Sequence, residues 1–172
     1  MEQVIGRMII TMEIISNIVM PCIYSFAASF AFSVQFNIRK KFMISAAMGG
    51  ILSQFVLAFL QLNGISEMSG YFISAAAISA YSEVLARRLK VPVNMHLVVA
   101  VIPLVPGGKM YYSMVTLING DINGFLIQTV ETFGIAGAIA MGIFAVSSVF
   151  IIMKTIKQKR IKKLPCNKNT GQ

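Results

Sequence analysis

The sequence predicts an all-α integral membrane protein with about five transmembrane helices, and two observations lead there. Hydrophobic residues make up 56% of the 172 positions and charged residues only 12%, with a mean hydropathy of +0.75. That leaves too little polar surface to cover a soluble core. The apolar residues also fall in blocks. Residues 14–36, 42–66 and 132–153 contain no charged side chain, and each exceeds the ~18–20 residues a helix needs to cross a hydrocarbon layer of ~30 Å. Residues 68–82 and 91–108 reach spanning length if one ionisable residue in each is tolerated. Backbone polar groups in lipid must be satisfied internally, so the blocks are helices or a closed barrel. The ~10-residue alternation of barrel strands does not occur.

The elements follow in order. A single transmembrane domain over residues 1–153 carries spans at about 14–36, 43–62, 68–86, 93–118 and 130–153, and residues 154–172 form a basic cytoplasmic tail. Residues 1–13 read as an amphipathic lead-in, with Glu2, Arg7 and Glu13 among apolar positions. It lacks the basic start and short apolar core of a signal peptide and is expected to stay on the chain. Small residues at Ser45, Ala46, Ala47, Gly49 and Gly50 open the second span, and Ser74 to Ser82 are small over most of the third. Gly134, Ala138 and Gly142 recur at four-residue spacing in the fifth. Such stripes let helix backbones approach closely, within one chain or between copies of it. Cys22 lies in a span and Cys166 in the tail, so no disulfide framework is implied.

Charge placement orients the spans. Thirteen of the fifteen basic residues sit at three sites: Arg39 to Lys41, Arg87 to Lys90, and the tail from Lys154. The intervening loops at 63–69 and 119–124 carry only Glu67 and Asp121. By the positive-inside rule the N-terminus is outside and the C-terminus cytoplasmic. The net charge of +9 therefore belongs to membrane flanks and lipid headgroups, and nucleic acid is not an expected partner.

The fourth span is unlike the others. It contains Pro103-Leu104-Val105-Pro106-Gly107-Gly108, followed by Lys109, Tyr111 and Tyr112. Each proline lacks an amide donor and clashes with the preceding turn, and the glycines permit backbone angles that other residues resist. A break at mid-depth is tolerated where it is buried in protein or lines a watery cavity. It is then either a substrate-path element, as in transporters built on discontinuous helices, or a plain proline kink.

These residues carry a resemblance. Ser82 to Pro92 (SEVLARRLKVP), the IPLVPGG segment from Ile102 to Gly108, Tyr111-Tyr112, and Ser29 to Asn37 (SFAFSVQFN) resemble the threonine/serine exporter family over roughly residues 15–150. The likeness is to its small membrane subunit, equivalent to the C-terminal half of the single-chain exporters. The resemblance implies export of small amino acids, or in some members dicarboxylates, driven by the proton gradient. It also implies a larger companion membrane subunit and a multi-pass location in the prokaryotic plasma (inner) membrane.

Candidate site residues follow from position. Pro103, Pro106, Gly107 and Gly108 are the hinge, with Tyr111 and Tyr112 as pocket walls or an interfacial aromatic belt. Lys109 is the deepest cation, placed to attract a carboxylate, to pair with an acid, or to snorkel outward. Glu83 lies one turn before Arg87, as an ion pair or a proton-coupling carboxylate. Glu131 suits the N-terminus of the fifth span. His96 is read as a packing or interfacial residue, and Asn119-Gly120-Asp121 as a turn. No catalytic residue, metal cluster or cofactor motif emerges, so no enzyme is expected. A secondary transporter subunit is the leading function, with a membrane scaffold or a passive channel as rivals.

Overall fold

A computed structural model describes residues 18–162, with side chains through Ile156. The expected lead-in at 1–13 and most of the basic tail lie outside the described residues. The described residues form six α-helices: α1 Met20–Gln35, α2 Lys40–Leu62, α3 Glu67–Leu89, α4 Val93–Val101, α5 Gly107–Ile118 and α6 Ile122–Lys162. A 3-10 turn at Ile102–Leu104 separates α4 from α5. Among the described residues there is no strand.

Proline placement explains several helix starts. Pro21 occupies the first turn of α1, Pro92 precedes α4 and Pro106 precedes α5. At each of these a missing amide donor costs no intrahelical bond. Lys90 takes a left-handed conformation to end α3, and Gly120 does so in the turn before α6. That turn matches the expected Asn119-Gly120-Asp121 reading. Asp121 adds a cap, its Oδ1 accepting the Gly124 amide at 2.9 Å.

The last helix departs from expectation. It begins at Ile122 rather than near residue 130 and runs 41 residues without interruption. At 1.5 Å per residue that is ~60 Å, about twice a hydrocarbon core. The reason is local: no proline occurs between Pro106 and Pro165, so nothing stops the helix at the edge of its apolar block. Among the described residues two helices are long and apolar enough to cross a membrane, Lys40–Leu62 and Ile122–Ile156, or three if α4 and α5 count as one bent span.

The interior is built from small residues. Neighbours α1 and α2 run antiparallel, as do α2 and α3, whereas α3 and α6 run parallel. Along that parallel seam Met68 meets Gly134, Ala75 meets Gly142 and Ser79 reaches Ser147. The core cluster is Ala75, Ile78, Ala100, Leu104, Ile135 and Ile139. Serines 29, 33, 53, 74, 79 and 82 are all buried, while Phe55, Phe59, Phe133, Met141 and Phe144 point outward. This distribution suits lipid, where large apolar side chains gain nothing by hiding and small ones permit close packing.

The glycines divide accordingly. A Cβ on Gly50 would strike the Ser29 side chain and lie 3.0 Å from the Ser25 carbonyl, and one on Gly142 would lie 2.6 Å from the Phe72 carbonyl. At Gly107 and Gly108 a Cβ meets nothing, and neither has a positive φ. The special backbone angles expected of those two are therefore not used. Gly50→Ala and Gly142→Ala should each destabilise by about 1–3 kcal/mol, and Gly107→Ala should be neutral or slightly stabilising. Thermal unfolding in detergent checks the contrast.

Candidate functional site

The break between α4 and α5 follows from one missing donor. Pro103 cannot offer an amide to the Val99 carbonyl four residues earlier. That carbonyl instead accepts the Ser29 hydroxyl from α1 at 3.2 Å. Beyond it the chain closes a 3-10 turn, with the Val105 amide on the Ile102 carbonyl at 3.2 Å. The Gly107 amide then bonds the Val105 carbonyl at 2.7 Å. Leu104, 1% exposed, anchors the turn in the core. The two half-helices meet at a bend of 45°.

Just past the break, Lys109 joins three elements. Its ammonium donates to Glu67 Oε2 at the start of α3 and to Glu131 Oε2 on α6, the latter at 3.3 Å. Glu131 therefore sits in the third turn of α6 as a partner of Lys109, not at a helix N-terminus as expected. Lys109 is not a stranded cation either. Its side chain reaches the level of the first residue of α3, and all three groups are part-exposed. A cavity of about 340 Å³ adjoins, lined by Lys109, Tyr112, Val115, Thr116, Gln128 and Glu131. The Gln128 Oε1 atom is buried without a partner. Tyr111 and Tyr112 stack edge to face at 5.5 Å, and both are exposed. Only Tyr112 of the two lines the cavity.

A second cavity of about 580 Å³ opens where α3, α4 and α6 converge, with Glu83, Ala86, Arg87, Pro92, Val93 and Lys154 among its walls. Here Arg87 lies 3.6 Å from Glu83. It also donates to the Phe150 carbonyl at 3.4 Å and covers the Phe150 ring at 4.6 Å. Two of these contacts, to the Phe150 carbonyl and ring, tie α3 to α6, a geometry a lysine would not reproduce.

His96 is the residue whose surroundings sequence reasoning missed. It is 1% exposed, its Nε2 lies 3.1 Å from Ser45 Oγ, and the Phe42 ring meets it edge on at 6.4 Å. The available signal was its type: an imidazole inside an apolar block has to find polar partners. Neither Ser45 nor the break of α4 pointed to it in the sequence. Among the described residues no group of three or more His, Cys, Asp or Glu side chains is placed to hold a metal ion.

A family model described as threonine/serine exporter, ThrE, matches residues 21–149, well over half of the chain. The match takes in every residue of both cavities except Met153 and Lys154. No curated protein and no solved structure matches the chain.

The Ser29–Val99 bond should be worth most when residue 103 is proline. Ser29→Ala is expected to cost about 1–3 kcal/mol by orphaning the Val99 carbonyl. In a Pro103→Ala background, where the helix can supply its own donor, the same change should cost less than half as much. A double-mutant cycle by thermal unfolding reads the difference.

Proposed function

The chain belongs to the threonine/serine exporter family, and from that premise we propose that it is a subunit of a secondary transporter exporting small polar metabolites. Threonine- and serine-type amino acids or dicarboxylates are the substrates in this reading, protons supply the drive, and a larger membrane subunit is the companion. Five spans accommodate the helices: α1, α2, α3, α4 with α5, and α6. The N-terminus is outside and the C-terminus cytoplasmic, because the basic residues cluster at one end. The setting is a prokaryotic plasma membrane.

One observation carries this proposal: within the matched region, α4–α5 is the only described pair of helices that together are long and apolar enough for one span yet are bent at a short break. A discontinuous span presents a helix start, here that of α5, to a polar group in transit; its Gly107 amide is already bonded to the Val105 carbonyl, so the positive end of the helix acts through the amides that follow. Pro103 and Pro106 form the hinge. Lys109 closes one side of it by bridging to Glu67 and Glu131, and the Glu83–Arg87 pair borders the cavity at the opposite, cytoplasmic end. Opening one cavity while closing the other would need α5 to shift against α3 and α6. The Lys109 bridges are the polar contacts such a shift breaks and remakes. Gly107 and Gly108, with open space around them, leave the start of α5 accessible from that cavity side. The reading is of a transporter and not of an enzyme.

Proteoliposomes holding the chain with its companion should show saturable threonine or serine flux that accelerates under an imposed pH gradient. Flux that never saturates and ignores the gradient would indicate a passive channel, and no flux beyond that of the companion alone would indicate a scaffold. Pro103→Ala combined with Pro106→Ala, which lets α4 and α5 fuse, should lower flux at least tenfold while leaving membrane insertion intact. Unchanged flux in that variant would remove the hinge from the mechanism.

A further inference from the structure

Ser45 fixes the protonation pattern of His96. The Ser45 hydroxyl has one proton, and it is committed to the Phe42 carbonyl at 2.7 Å, an atom that can only accept. In the contact with Nε2 at 3.1 Å, Ser45 must therefore be the acceptor and Nε2 must carry the hydrogen. Neutral imidazole bears one N–H, so Nδ1 is left as a bare lone pair. That atom is buried and has no partner.

Among the described residues no group bonds that lone pair, and the charged residues of the helix packed on His96 are Arg39, Lys40 and Lys41 at the start of α2. From α2 the ring is faced by Phe42 and Ser45. Tyr81 of α3 is near, but its hydroxyl is spent on the Ser45 carbonyl at 2.8 Å. Ser29 of α1 is spent on the Val99 carbonyl. The titratable groups at the adjoining cavity are Glu83, Arg87 and Lys154, and the first two already pair with each other. That cavity is lined by Pro92 and Val93, and His96 lies one helical turn further in on the same side of α4. Ser82, a second buried hydroxyl without a partner, lies one turn further in from Ala86 of the same cavity. Neither lines the cavity itself, but each of these two unpartnered polar groups is one helical turn along its helix from a residue that does. Buried polar groups are ordinarily satisfied, and an orphan costs about 1–3 kcal/mol unless a missing ligand or water completes it.

We propose that His96 Nδ1 is the atom at which a proton and the substrate compete. In the neutral ring the lone pair accepts a hydrogen bond from a donor on the substrate, the ammonium or hydroxyl of a small hydroxy-amino acid. When hydronium delivers a proton to Nδ1, an N–H bond forms there, an O–H bond of hydronium breaks to leave water, and no lone pair remains to accept. The imidazolium also repels an ammonium. Occupancy is therefore exclusive, which is the arrangement an exchange of proton for substrate requires. A dicarboxylate, with no donor at neutral pH, gains nothing from the neutral ring. The proposal rests on the exporter reading and assigns its coupling to one side chain, the only histidine of the chain.

The single imidazole makes the test direct. With 15N-histidine incorporated in this chain only and the companion unlabelled, the complex in lipid nanodiscs should give one Nε2-protonated ring above neutral pH. Saturating L-serine should move the Nδ1 resonance, and succinate should not. On the acid side of the titration, each tenfold rise in proton concentration should weaken serine binding about tenfold. In His96→Asn, which keeps an acceptor near Nδ1 but cannot titrate, binding should be weaker and flat with pH. Flux of serine with an Nδ1 resonance indifferent to serine, or with a pH dependence retained in His96→Asn, would overturn the proposal while leaving the exporter reading in place. Absence of any flux would count against the exporter reading. An Nδ1 that never takes up a proton across the neutral range overturns the present proposal with or without flux.

Discussion

The missing amide of Pro103 is the constraint around which the described bundle is arranged. It leaves the Val99 carbonyl without its helical donor, and in an apolar setting that carbonyl has to be satisfied from elsewhere. Ser29 supplies the hydrogen bond, which draws α1 against α4. The approach leaves no room for a side chain on α2 at residue 50, where a Cβ would collide with Ser29. One proline therefore specifies a serine and a glycine on two other helices. Ser74, whose hydroxyl bonds the Ser53 carbonyl, and Tyr81, whose hydroxyl bonds the Ser45 carbonyl, extend the same pattern to α2 and α3. At each of these three contacts a side-chain donor meets a backbone acceptor of the neighbouring helix.

The consequence for function is a division of the molecule into a fixed part and a part with few anchors. Around α1, α2, α3 and α4 the buried serines and alanines hold backbone to backbone. Beyond the break, α5 has one buried residue, Ser113, and is tied back mainly by its packing on α6 and by Lys109. Part-exposed ion pairs are weak fastenings compared with close packing, worth roughly 0–1 kcal/mol each when water reaches them. An element held that way can change partners at small cost, as a moving half-helix must. The cavity bordered by Glu83 and Arg87 lies at the far end of the fixed part, where the guanidinium is held by a carboxylate, a carbonyl and a ring together.

How much of this was legible in the sequence depends on whether a feature is local. The helical class, the apolar blocks, the break at Pro103 to Pro106 and the Glu83–Arg87 pair each follow from residues within one or two turns of each other. So does the turn at Asn119-Gly120-Asp121, although its capping role for α6 was not drawn. Local reading went astray where it took polarity for a boundary. The fifth span was expected at about 130–153 with Glu131 at its N-terminus, yet the helix begins at Ile122 and a single glutamate does not mark its start. Gly107 and Gly108 were credited with special angles on composition alone, and the backbone there is ordinary.

The sequence by itself determined that this chain is helical, built for lipid, and interrupted once in its fourth apolar block, because hydropathy, proline chemistry and charge placement act over short stretches of chain. Only the tertiary structure decided which groups complete one another. Lys109 finds Glu67 and Glu131 from 42 and 22 residues away, and Ser29 finds Val99 from 70. The bare nitrogen of His96 is visible only once Ser45, 51 residues distant, is seen to have spent its proton elsewhere. Hydrogen-bond satisfaction is a property of the whole bundle, since each donor is used once, and no spacing along the chain records where it is used.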